Sequence, residues 1–135
     1  MRTEHGHGRL ALTEKNNKRI IGQVLSEQAT RWSVKIYEQA IVSSHIHLVI
    51  LAKIRSHLQG FLRSVAGIVA TRITKSVKGR PFGKFWLGLT FTRVVEWGRA
   101  FAVVCRYVVQ NAREAAGLVP FAPRKKKDRL LCHSP

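Results

Sequence analysis

His45-Ile46-His47 lies inside the apolar run AIVSSHIHLVILA, residues 40–52. Successive side chains along a β-strand point to opposite faces, so the two imidazoles share one face and Ile46 takes the other. Neutral imidazoles on one face of a rigid strand can ligate a divalent metal. Further along, Asn111 follows Tyr107 by four residues, a spacing that sets both side chains on one face of a helix. Asn111 offers an amide oxygen, the ligand type that hard divalent cations prefer. Gln110, three residues after Tyr107, is a substitute for it. Two imidazoles and one amide suit Mg2+ or Mn2+, whereas a structural Zn2+ site wants four nitrogen or sulfur ligands. His5 and His7 repeat the spacing between glycines near the N-terminus and are read as incidental.

The elements that must position these residues follow from pattern. Thr13 stands as N-cap of a first helix whose apolar face is Ile20, Ile21, Val24 and Leu25. Trp32–Val42 reads as a strand, Ser43-Ser44 as a turn, and His45–Leu51 as the returning strand of an antiparallel hairpin. Ile54, Leu58, Phe61, Leu62, Val65, Ile68, Val69 and Ile73 recur at helical period and predict a long helix to about Val77. Lys78-Gly79-Arg80-Pro81 breaks it. Phe85–Val95 alternates like a further strand, and Arg99 to about Ala116 forms the last helix, stopped by Gly117. This order is an α+β, ferredoxin-like plan without its opening strand.

Twenty-four Lys and Arg face seven Asp and Glu, a formal net charge of +17. An excess that large points to a polyanion, first of all nucleic acid. Lys53, Arg55, Arg63, Arg72 and Lys75 on the long helix and its flanks, with Lys78, Arg80, Lys84 and Arg93 beyond, are candidates for tracking a DNA backbone. Trp86 and Trp97 are candidates for base stacking, though aromatics in such segments more often pack a core. With 45% hydrophobic residues the chain has enough for one packed domain. MRTEHGHGR lacks the apolar stretch of a signal peptide. Cys105 and Cys132 form no CxxC and read as free thiols, which with the absent signal makes a cytoplasmic location the expectation.

The HxH in its apolar strand, the segment GRPFGKFWLGLTFTRVVEWGRAF and the following CRYVVQNAREAAGLVP together resemble the REP-associated tyrosine transposases. These are single-tyrosine HUH proteins related to the insertion-sequence transposases that move as single strands. The resemblance covers roughly Arg9–Pro120. It implies a ferredoxin-like HUH domain over residues 1–119; beyond it, Pro120–Pro135, with two further prolines and the run Arg124-Lys125-Lys126-Lys127, reads as a basic, disordered tail over residues 120–135. The family's first strand lies in the middle of the sheet; only His7–Leu12 is available for it, so the chain looks N-terminally short.

The resemblance further implies that Tyr107 is the catalytic nucleophile and that His45, His47 and Asn111 (or Gln110, since related transposases use Gln) hold Mg2+ or Mn2+. A free phenol ionises near about pH 10, so its attack at neutral pH needs help from its surroundings. Family members carry Asn before the first His; Ser44 stands there in this chain. Glu114 matches the family pattern and, in a basic helix, is expected as a solvated ion pair. The expected function is a metal-dependent single-stranded DNA endonuclease and strand transferase, working through a 5′-phosphotyrosine beside a DNA hairpin. It would act as a monomer or homodimer in the bacterial cytoplasm, at the nucleoid. The alternative is a catalytically defunct nucleic-acid binder on the same scaffold; a third reading is an unrelated small RNA-binding protein.

Overall fold

Glu14, rather than Thr13, starts the first helix, α1 (Lys15–Arg31). Its carboxylate folds back to accept from the amides of Asn16 (3.0 Å) and Asn17 (3.1 Å), while its own backbone is still extended. That satisfies two of the donors a helix start leaves without partners and sets a negative charge at the positive end of the helix dipole. The computed structural model describes residues 1–122; most of the basic tail expected over residues 120–135, and Cys132 with it, lies outside the described residues.

β1 (Val34–Val42) and β2 (His45–Ala52) form the expected hairpin around Ser43-Ser44. Its register pairs Ile41 with Ile46 and Ala40 with His47, then Glu38 with Val49 and Ile36 with Ile50, so that Tyr37 is an extra residue. Such a bulge shifts the alternation of one strand by a single place. It lets Val34 and Ile36 face the same core as Ile41, although 36 and 41 differ in parity.

α2 (Arg55–Thr74) buries Phe61, Val65, Val69 and Ile73, a stripe at helical spacing, against α1 and the sheet. It ends three residues earlier than expected, at Lys75 in the left-handed region (φ 56°). Trp32 lies against Gly60, where any side chain would run into its ring. α3 (Arg99–Ala115) packs on the opposite face of the hairpin, where Val108 joins Ala40 and Val49. It stops at Gly117 (φ 72°): the amides of Gly117 and Leu118 reach back to the carbonyls of Glu114 (3.1 Å) and Arg113 (3.0 Å). This is the glycine-terminated helix end with its paired reverse bonds.

The protein is thus α+β and ferredoxin-like in outline, with α1 and α2 on one face of a two-stranded antiparallel sheet and α3 on the other. As the missing opening strand led one to expect, His7–Leu12 supplies no strand; Gly8–Leu10 is a short 3-10 turn. Met1–Thr3 takes the central place instead. Ile46 N donates to Met1 O (2.9 Å), Thr3 N to Ser44 O (2.7 Å), and Leu87 N to Arg2 O (2.7 Å). Phe85–Val95 is likewise no strand beyond the bridge that joins Trp86 to Thr3. The central ladder is three residues long, so residues 90–95 have no neighbouring strand to pair with, and local β propensity alone does not hold a strand.

Candidate active site

Strand alternation delivers the two histidines as their spacing requires. Ile46 is buried in the core shared with α1 and α2, and His45 and His47 stand on the α3 face. Their rings meet edge to face with centroids 4.6 Å apart. Ser44 Oγ lies 3.2 Å from His45 Nδ1, close enough to hydrogen-bond and orient the ring, with the donor set by the imidazole tautomer. A Cβ at Gly6 would stand 3.2 Å from that of Ser44, tighter than ordinary van der Waals contact.

α3 brings Tyr107 to the same place. Its ring is edge-on to His47 at 5.9 Å between centroids. His45, His47 and Tyr107 line one cleft of about 410 Å3, whose rim carries Arg2, Phe91 and Arg93. Asn111 lies one turn beyond Tyr107, half-buried, and is not part of the cleft lining. Gln110 donates from Nε2 to Glu114 Oε1 (2.9 Å), and the same carboxylate oxygen accepts from Ala122 N (3.1 Å). Glu114 therefore clasps the end of α3 to the chain beyond it. Among the described residues no three His, Cys, Asp or Glu side chains gather into a metal site.

The basic candidates do not share one surface. Lys53, Arg55, Arg63, Arg72, Lys75, Lys78, Arg80, Lys84 and Arg93 are all exposed. Arg93 reaches the cleft, as does Arg2, a contributor hidden in the sequence because only the bridge from Arg2 to His45 places it there. Arg63 and Arg72 instead flank a groove between α1 and α2, together with Arg31, on the far side of the sheet from Tyr107. Arg72 also approaches Glu27 at 3.9 Å. Trp86 is a core residue, its indole donating to Ala66 O (2.8 Å). Trp97 is 65% exposed, beside Tyr37 and Phe101. His5 packs against Phe82 and Phe85.

Cys105 is half-buried on the α3 face; burial, and secondarily the Glu38 carboxylate, push its thiol above the usual range. No helix among the described residues is long and apolar enough to cross a membrane.

Residues 7–111 match the family described as IS200-like transposases, a span that takes in both histidines, Tyr107 and Asn111. Neither the curated proteins nor the solved structures gave a match. With a family match over most of its length, and with an HxH strand facing a tyrosine helix across one cleft, the chain belongs to the IS200-like transposase family and is a protein of DNA transposition.

Proposed function

We propose that the protein is a single-tyrosine strand transferase of the REP-associated kind, cutting and rejoining single-stranded DNA beside a hairpin. The observation that carries this reading is the meeting of His45, His47 and Tyr107 around one cleft rimmed by arginine. The donor set fits a hard divalent ion. His45 and His47 would hold Mg2+ or Mn2+, with Asn111 or Gln110 supplying an amide oxygen. When bound, the ion supplies positive charge that polarises the scissile phosphate.

The chain's own side chains do the rest. Arg93 and Arg2 bring guanidinium charge to the cleft rim, where a phosphodiester would be drawn in and its developing charge offset. Phe91 gives a flat face beside it on which a flanking base can stack. The Tyr107 oxygen forms a bond to phosphorus while the bond to the 3′-oxygen breaks. The phenolic proton is lost, the 3′-oxygen leaves as a hydroxyl, and the 5′-phosphate stays on the tyrosine. Bond energy is thereby kept for rejoining by a second 3′-hydroxyl.

The test is a labelled hairpin oligonucleotide incubated with Mn2+ and run on a denaturing gel. An adduct is expected from the wild-type chain, none from Tyr107→Phe, and none from His47→Ala or in the presence of a chelator. An adduct that persists in Tyr107→Phe refutes the nucleophile. The competing reading, a DNA-binding scaffold without strand transfer, draws on Asn111 standing outside the cleft lining; binding of the hairpin with no adduct from the wild type would select it.

A further inference from the structure

The groove between α1 and α2 differs in chemistry from the Tyr107 cleft. Arg31 of α1 and Arg63 and Arg72 of α2, all exposed, surround a hollow of about 350 Å3. Gly67 adds no side chain to fill it, and nothing lies within 4 Å of where its Cβ would stand. None of the residues that line the groove is aromatic. The ring of Trp32, beside it, is already engaged. α2 closes on that ring at Gly60, its Nε1 donates to Ser64 Oγ (3.2 Å), and the Arg31 guanidinium lies 5.8 Å from its centroid.

That composition selects among polyanions. A single strand exposes the faces of its bases, and sites for it combine positive charge with aromatic side chains on which those bases stack. Phe91 and Arg93 give the Tyr107 cleft both. The α1–α2 groove offers charge alone. Charge alone suits a double strand, whose bases are stacked inside and whose phosphates line the outside. Arg63 and Arg72 stand nine residues apart on α2, about 14 Å along the helix axis. That length matches the rise of about four nucleotides on one strand of a duplex.

Gln28 adds an independent observation. It lines the same groove, is 7% exposed, and its Oε1 is buried with no hydrogen-bond partner. A buried acceptor without a donor is costly, and the charged donors around this one are guanidinium groups. A guanidinium carries five N–H donors in a planar fork. Drawn inward by a phosphate, it can give two of them to the phosphate and another to Oε1.

We propose that the α1–α2 groove is a second DNA site, gripping the phosphate backbone of a double-stranded segment through Arg31, Arg63 and Arg72, with Gln28 Oε1 holding a guanidinium in place. This rests on DNA as the partner and not on strand transfer. Glu27, 3.9 Å from Arg72, opposes the site, since its carboxylate repels phosphate and competes for the guanidinium. The sheet stands between this groove and Tyr107. A duplex held here is therefore a stretch of DNA apart from the strand being cut.

The experiment uses the full chain with a chelator present, so that cleavage plays no part. The probes are a labelled short blunt duplex and a labelled oligothymidine of equal length, each titrated over a range of salt by anisotropy. Arg63→Gln with Arg72→Gln should lower the slope of log affinity against log salt on the duplex by about 1.8, the effect of two lost phosphate contacts. Duplex binding should weaken about tenfold or more in that variant, and oligothymidine binding less than about threefold. Gln28→Met should weaken duplex binding about threefold or more while the melting temperature holds or rises, because an apolar side chain of similar size removes the buried orphan. Glu27→Gln should tighten duplex binding about twofold or more.

Equal losses on the two probes in the double arginine variant overturn the proposal, as does duplex binding left unchanged by it. So does a Gln28→Met chain that binds duplex as the wild type does, or a Glu27→Gln chain that shows no gain.

Discussion

Glycines on the helices give a test in which neighbouring positions answer with opposite signs. At Gly67 a methyl group would meet nothing within 4 Å, and the same holds at Gly22. Alanine there gains helix propensity alone, about 0.5–1 kcal/mol. At Gly60 the methyl group would overlap three ring carbons of Trp32. That ring is not free to swing: its Nε1 donates to Ser64 Oγ (3.2 Å), and its edge meets His57 at 6.4 Å between centroids. Displacing a packed tryptophan costs about 3 kcal/mol at the lower end of large-residue losses, and the propensity gain returns roughly 1 of it. Gly60→Ala should therefore lower stability by roughly 2 kcal/mol while Gly67→Ala raises it. For a chain of this size each kcal/mol moves the melting temperature by about 4 °C, so the two variants should melt about 12 °C apart by calorimetry or circular dichroism. Trp32→Leu combined with Gly60→Ala should recover part of the loss, because the two residues share one contact. Equal melting temperatures for Gly60→Ala and Gly67→Ala would refute the packing of α1 on α2 through Trp32.

Three further outcomes are expected. Glu14→Ala removes a carboxylate that accepts two amide bonds and should cost about 1 kcal/mol in chemical denaturation; no change would mean the first turn is frayed. Cys105 should be alkylated more slowly near neutral pH than a free thiol, because burial and Glu38 hold its proton. Since the folded chain then keeps that proton to higher pH than the unfolded chain, stability should decline as pH rises past the unfolded thiol's range; rapid labelling at neutral pH would contradict this. In salt titrations on single strands, Arg93→Gln should reduce the slope of log affinity against log salt by about 0.7 and depress adduct formation. Arg63→Gln with Arg72→Gln should weaken binding without touching the adduct formed at saturation, and loss of that adduct would place the α1–α2 groove on the strand path.

The hairpin and its histidines were legible because strand alternation is local: an apolar run around HIH admits one arrangement, and the turn serines mark where it reverses. The long helices were legible from their apolar stripes, although α2 stops early because Lys75 adopts a backbone conformation that no side-chain pattern announces. What escaped reading depends on partners distant in sequence. Residues 90–95 have the composition of a strand, yet a strand exists only where another edge meets it. Met1–Thr3, too short to register as an element, takes the central place because Ser44 and Ile46 offer it an edge. Thr13 lost the cap to Glu14 because a longer carboxylate at the adjacent position reaches the same amides. For the candidate site, types and spacing picked out His45, His47 and Tyr107; Arg2 could not be found that way, since nothing near it in the chain hints at His45.

The bulge at Tyr37 reaches further than the strand that contains it. A regular strand assigns each face every second side chain, yet here Tyr37 and Glu38, adjacent in the chain, both serve the α3 face: Tyr37 rests on Trp97 and Phe101, and Glu38 stands opposite Val49 near Cys105. α3 is thus seated on one more anchor than alternation would provide, next to its N-terminal turn. Removing Tyr37 would leave every cross-strand pair in place and still unseat the helix. A single-codon deletion at this point would therefore go unnoticed by the sheet and be felt seventy residues later, in where the phenol of Tyr107 comes to stand.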